Sequence, residues 1–136
     1  MKKLLIGAAL SISISTAALA EIAVIVSHDN TQNLAQSDIE RIYTGKSTRY
    51  PNGDEVEAYN LKSGAVVDTF NTSLLKRSTA QMNAYWSKLI FTGKGKPLKA
   101  VDSEQDMINA IAANPVAIGY VDASSVTNNV KVITTL

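Results

Sequence analysis

The chain has no cysteine. That excludes disulfides, thiolate metal sites and thiol catalysis, so the fold must rest on its apolar core. It has a single histidine, His28. A zinc site without cysteine would need several imidazoles, so none is expected. A Ser–His–acid set can be drawn from Ser63, His28 and Asp29, but no G-x-S-x-G elbow is present. On an extended backbone the adjacent His28 and Asp29 would also point apart. The carboxylates are dispersed rather than paired, which gives glycoside chemistry no support. The residues do not read as those of an enzyme.

Charge of one sign is also missing. The formal net charge is +1, and without Lys2 and Lys3 there are 11 basic residues against 12 acidic ones. Scattered, balanced charge predicts neither nucleic-acid nor membrane-surface binding.

What is present begins with an export pattern. Lys2 and Lys3 precede an apolar run from Leu4 to Ala17, and Ala18-Leu19-Ala20 supplies small residues for cleavage. Residues 1–20 are therefore expected to be a signal peptide and residues 21–136 a single periplasmic domain. The run is too short to span a bilayer, which takes about 20 apolar residues.

Elements then alternate. Ile22-Ala23-Val24-Ile25-Val26 is apolar throughout and reads as a strand covered on both faces. Ser27, His28, Asp29 and Asn30 form a polar turn at its carboxyl end, where open α/β sheets usually bind ligands. Ser37 to Glu40 reads as a capping box opening a short helix that turns Ile39, Ile42 and Tyr43 inward. Gly45 and Lys46 close it. Tyr50 to Asp54 is a turn, and a strand follows over Val56–Asn60.

The richest stretch runs from Tyr59 to Phe70. Ser63 is placed to cap a helix whose Val67, Phe70 and Leu74 recur at helical spacing. Gly64 permits close backbone approach. A helix start with unpaired N–H groups and a positive dipole end receives anions. That helix is expected to reach Lys76. Ser78 or Thr79 caps the next, with Met82, Trp86, Leu89 and Ile90 as its core stripe and Tyr85 beside it. Gly93 to Pro97 ends it as a solvated connector, since its glycines and lysines lack the spacing of a phosphate loop. Asp102 or Ser103 opens a further helix burying Met107, Ile108 and Ile111. Val116–Val121 is an apolar strand in which Gly119 implies close approach, and Val130–Ile133 is a last strand. The class is α/β, a mixed sheet flanked by helices.

Three stretches together resemble a known family. Leu34 to Lys46, Ser63-Gly64 ahead of Phe70, and Ala117-Ile118-Gly119-Tyr120-Val121 are similar, in order and spacing, to motifs of the substrate-binding proteins of phosphate ABC transporters. Trp86 falls where a tryptophan is common in them. The resemblance implies one lobe of a type II periplasmic binding protein, a small single-lobe member, with no cofactor. It implies phosphate or a similar oxyanion held at Ser63 and Gly64, with Ser27, His28 or Asn30 nearby. The partner it implies is an ABC transporter, another envelope protein or, as a homodimer, a second copy.

Two departures weaken that site. An arginine four residues before the serine and a threonine after the glycine belong to the family pattern; here Tyr59 and Ala65 stand there. The bidentate cation and one hydroxyl donor are gone, and Lys62 offers only a flexible point charge. A helix start and two or three charge-assisted hydrogen bonds, set against the cost of association, leave about 4 kcal/mol, or millimolar binding. The alternative is an envelope interaction or sensor module that kept the fold and lost tight binding. Of the turn carboxylates, Asp29 and Asp54 are the candidates to accept a proton from hydrogen phosphate.

Overall fold

A computed structural model describes residues 21–136 together with Gly7, Ser11 and Ile12. Apart from those three positions, the export segment read at residues 1–20 lies outside the described residues.

The first strand, β1 (Ile22–Val26), is buried at every position. Such a strand needs a neighbour at each edge and cover on each face. β1 pairs antiparallel with β4 (Ala117–Asp122) and with β5 (Lys131–Thr135). β4 pairs in parallel with β2 (Glu57–Leu61), and β2 in parallel with β3 (Lys99–Val101). The sheet is mixed and five-stranded, in the order β3-β2-β4-β1-β5. β3 was not foreseen: three residues, Lys99-Ala100-Val101, are too few to display a period.

Helix α1 (Gln36–Tyr43) buries Ile39, Ile42 and Tyr43, as the spacing requires. Its start corrects the expectation. Ala35, not Ser37, is the N-cap residue, and Asp38, not Glu40, reaches back to the Ala35 N–H at 2.9 Å. Gly45 ends the helix at φ +71°.

Helix α2 (Ala65–Phe70) continues as a π-helical turn over Asn71–Leu75, and Lys76 stops it in the left-handed region at φ 56°. Phe70 binds α2 to the sheet. Its ring stacks on Tyr120 at 3.8 Å and meets the Tyr43 edge at 4.8 Å, with all three buried. Helix α4 (Glu104–Ala112) is capped by Ser103 and buries Met107, Ile108 and Ile111. It lies so close to β4 that a Cβ on Gly119 would come 2.5 Å from Met107 Sδ and 2.9 Å from Ile111 Cδ1. Any larger residue there would have to displace the Met107 and Ile111 side chains.

Helix α3 (Thr79–Phe91) begins as expected, with Ser78 and Gln81 satisfying each other's backbone N–H. Its stripe does not become core. Met82 alone is buried; Tyr85, Trp86 and Leu89 are half-buried and Ile90 is exposed. The aromatics hold the end of α1 instead: Tyr85 Oη donates to the Thr44 carbonyl and Trp86 Nε1 to that of Tyr43. The indole lies between Gly45 and Gly95, against which it leaves little room for any Cβ.

Candidate functional site

β2 delivers the chain to the turn at Ser63 and Gly64. The Leu61 N–H is held by the Tyr120 hydroxyl and Asn60 Oδ1, and the Lys62 N–H by the Val101 carbonyl at 3.1 Å. The turn therefore springs from a fixed base at the carboxyl ends of the parallel strands β2, β3 and β4.

Ser63 is not the cap. Gly64 occupies that position, at φ 111° and ψ 178°, and no side chain satisfies the first turn of α2. The reason is backbone shape: Gly64 takes a conformation that L residues avoid, although nothing lies within 4 Å of where its Cβ would stand. The first amide that closes the helix is that of Asp68, bonded to the Gly64 carbonyl at 3.2 Å. The amides of Ala65, Val66 and Val67 precede it and have no helical acceptor. Lys62, Ser63, Gly64 and Ala65 are all exposed, so this start is open to solvent.

Two carboxylates stand near it. Asp102 pairs with Lys62 at 2.9 Å across an exposed surface. Asp68 lies in the first turn, where it complements the helix dipole and opposes an incoming anion. Behind them runs a short polar chain: Asn71 Nδ2 donates to Thr79 Oγ1, which donates to Asp68 Oδ1 at 2.6 Å. Asn60, Lys62, Asn71, Thr79 and Asn83 line a cavity of about 40 Å³, room for water but little more. Burial raises the Tyr43 and Tyr120 hydroxyls well above the usual phenol range, so both stay neutral donors beneath the helix.

The other three predicted residues are elsewhere. β1 runs antiparallel to β4, with Val26 opposite Ile118, whereas β2 runs parallel to it, with Glu57 opposite Ala117. The carboxyl end of β1 is therefore at the far end of the sheet, about 17 Å from Ser63 for a five-residue strand. Ser27, His28 and Asn30 do not join Ser63 and Gly64 in one site. Asn30 is buried, with Nδ2 donating to Tyr50 Oη and the Pro115 carbonyl and Oδ1 accepting from the Gln32 N–H. Its own carbonyl takes the Lys131 ammonium. Ser27 is buried and its hydroxyl accepts from the Asp29 N–H; the exposed His28 donates from Nε2 to the Asn128 carbonyl. Asp54 is also at this end, tied to Asn52 and Gln32. A continuous apolar strand gives no direction, whereas a site shared by the turns after β1 and β2 requires the two strands to run the same way.

Sequence reasoning missed Asp68, Asn71, Thr79 and Asp102. The i, i+3 spacing of Asp68 and Asn71 on a helix start was the signal for the first two. A wider groove of about 580 Å³ lies between Arg49 and the segment Gly93–Lys99, at the amino ends of β2 and β3 and apart from the turn.

No family model matches this chain, and no curated protein matches it. Solved structures do. A putative phosphate ABC transporter substrate-binding protein from Clostridium perfringens, solved with bound phosphate, is 19% identical with a TM-score of 0.62, over 84% of this chain and 45% of its own. An ABC-type phosphate transport receptor from Vibrio cholerae is 18% identical with a TM-score of 0.60, over 84% of this chain and 46% of its own. PstS from Borrelia burgdorferi is 16% identical with a TM-score of 0.54, over 76% and 42%. This chain spans less than half the length of each. Among the described residues, the mixed five-stranded sheet with four α-helices is thus the α/β lobe fold found in phosphate-transporter substrate-binding proteins.

Proposed function

We propose that this protein is an exported, non-enzymatic, phosphate-receptor-like lobe that holds phosphate or a similar oxyanion at the start of α2. The observation that carries the reading is the uncapped, solvent-open helix start at Gly64. Its amides and dipole supply the attraction, and Ser63 supplies a hydroxyl. Asp102, tied to the turn through Lys62, is the carboxylate that this reading assigns to accept the proton of hydrogen phosphate, in place of Asp29 or Asp54. Export by residues 1–20 and service to an ABC transporter belong to the same reading.

The binding is weak by construction. Tyr59 stands where a bidentate cation would be needed, Lys62 is engaged by Asp102, and Asp68 repels. About millimolar affinity follows, against the micromolar capture that transport demands. A second lobe, from another copy or an envelope protein, is what would complete the site. The same three features favour the second reading, a module that kept the fold and uses it for interaction.

Equilibrium dialysis with labelled phosphate separates them. A millimolar dissociation constant, lost in Gly64→Ala and retained in His28→Ala, supports the first reading. Retention of no phosphate at several times that concentration leaves only the second.

A further inference from the structure

The near-neutral total hides a strong segregation. Residues 69–101 contain Lys76, Arg77, Lys88, Lys94, Lys96 and Lys99 and no acidic residue, whereas the rest of residues 21–136 carries all 12 acids and five bases. This cationic stretch is α3 with its flanks, the helix whose stripe the core leaves half-covered.

Its far end is the most apolar exposed point among the described residues. Phe91 is 92% exposed and Ile90 beside it 44%. Lys88 precedes Phe91 by one helical turn. After the helix, Gly93 turns the chain at φ +69°, and the Lys94 N–H bonds back to the Leu89 carbonyl at 2.8 Å. That closure holds Lys94 against the last turn, and Lys96 follows it. Lys99 is paired with Glu57, but Lys88, Lys94 and Lys96 form no ion pair among the described residues.

We propose that residues 88–96 are a docking tip for an anionic phospholipid surface. Phe91 and Ile90 enter the boundary between headgroups and acyl chains, and the three lysines meet the phosphates. A protein partner fits less well. A stable protein contact buries about 800 Å² on each side around an apolar centre, whereas this apolar tip is two exposed side chains at a helix end, with three lysines close in sequence. The balanced composition predicted no membrane-surface binding; the fold gathers the cations in one place and changes that expectation. The proposal is independent of any phosphate site at Gly64.

The test uses the full chain carrying Phe91→Trp, mixed with vesicles whose acyl chains are brominated. Emission from position 91 is separated from that of Trp86 by comparison with the unchanged chain. Reading at position 91 also keeps any binding through residues 4–17 out of the signal. The indole at 91 should be quenched on vesicles containing phosphatidylglycerol and far less on phosphatidylcholine alone. Reversing Lys88, Lys94 and Lys96 to Glu should weaken the quenching partition by about 100-fold or more, and high salt should weaken it in the unreversed chain. All four positions are exposed, so circular dichroism should be unchanged. An unquenched indole, equal quenching after charge reversal, or equal quenching on neutral vesicles overturns the proposal. So does self-association without lipid that Phe91→Ser abolishes, since the tip would then be a contact between copies.

Discussion

The two ends of the sheet carry turns that both read as ligand-binding and have opposite fates. At the end of β1, Asn30 spends its side chain on Tyr50, Pro115 and Gln32, and Ser27 spends its hydroxyl on Asp29. At the end of β2, the amides that open α2 have no side-chain cap, and Ser63 and Gly64 face solvent. Polar residues after a strand are thus poor evidence for a ligand by themselves. What marks a binding end is donors left over after the fold has used the rest, because a buried polar group is costly unless paired and an exposed unpaired one is available.

The sharpest break of that contrast is at the closed end. Asn30→Leu removes three hydrogen bonds and leaves the Pro115 carbonyl, the Tyr50 hydroxyl and the Gln32 N–H each without its Asn30 partner. It should cost about 2–4 kcal/mol in denaturant melts while leaving phosphate retention intact. Gly64→Ala is the counterpart at the open end. It should cost about 1–3 kcal/mol, through backbone strain rather than crowding, and abolish phosphate retention by moving the amides.

Alkaline pH probes both ends together. Burial pushes the Tyr50 hydroxyl up to about 12, and Tyr43 and Tyr120 are raised as well. A phenol whose folded pKa exceeds its unfolded value binds more protons in the native state, so stability falls as pH rises from about 10 to about 12. Absorbance at the phenolate band should show Tyr50 ionising above the usual phenol range, and Tyr50→Phe should reduce the pH slope.

The smallest effect sharpens the assignment of the cap. Were Ser63 the N-cap, Ser63→Ala would cost about 1 kcal/mol. Because Gly64 caps and the hydroxyl is exposed, it should cost less than about 0.5 kcal/mol and only weaken phosphate binding.

Much of the fold was legible in the residues because burial imposes periods. Ile22–Val26 without a polar position, Met107, Ile108 and Ile111 on one helical face, and Gly119 against α4 all read correctly for that reason. The α3 stripe misled because apolar spacing specifies an amphipathic helix, not what lies against it; Trp86 turned to the end of α1 instead of the core. Three of the five candidate site residues, Ser27, His28 and Asn30, lie at the other end of the sheet for a topological reason. Strand direction is set by pairing, and β1 pairs antiparallel on both edges. The place of Asp102 beside the turn was invisible because it arrives from β3, the strand too short to read.

The central claim is that the anion end of this lobe is the uncapped start of α2 and not the turn after β1. Backbone amide NMR during phosphate titration, against chloride at equal ionic strength, tests it residue by residue. Saturable shifts at Gly64, Ala65 and Val66 with a millimolar midpoint, and none at Ser27, His28 or Asn30, are the predicted result. Shifts centred on the β1 turn, or flat lines at Gly64 through several millimolar phosphate, would contradict it.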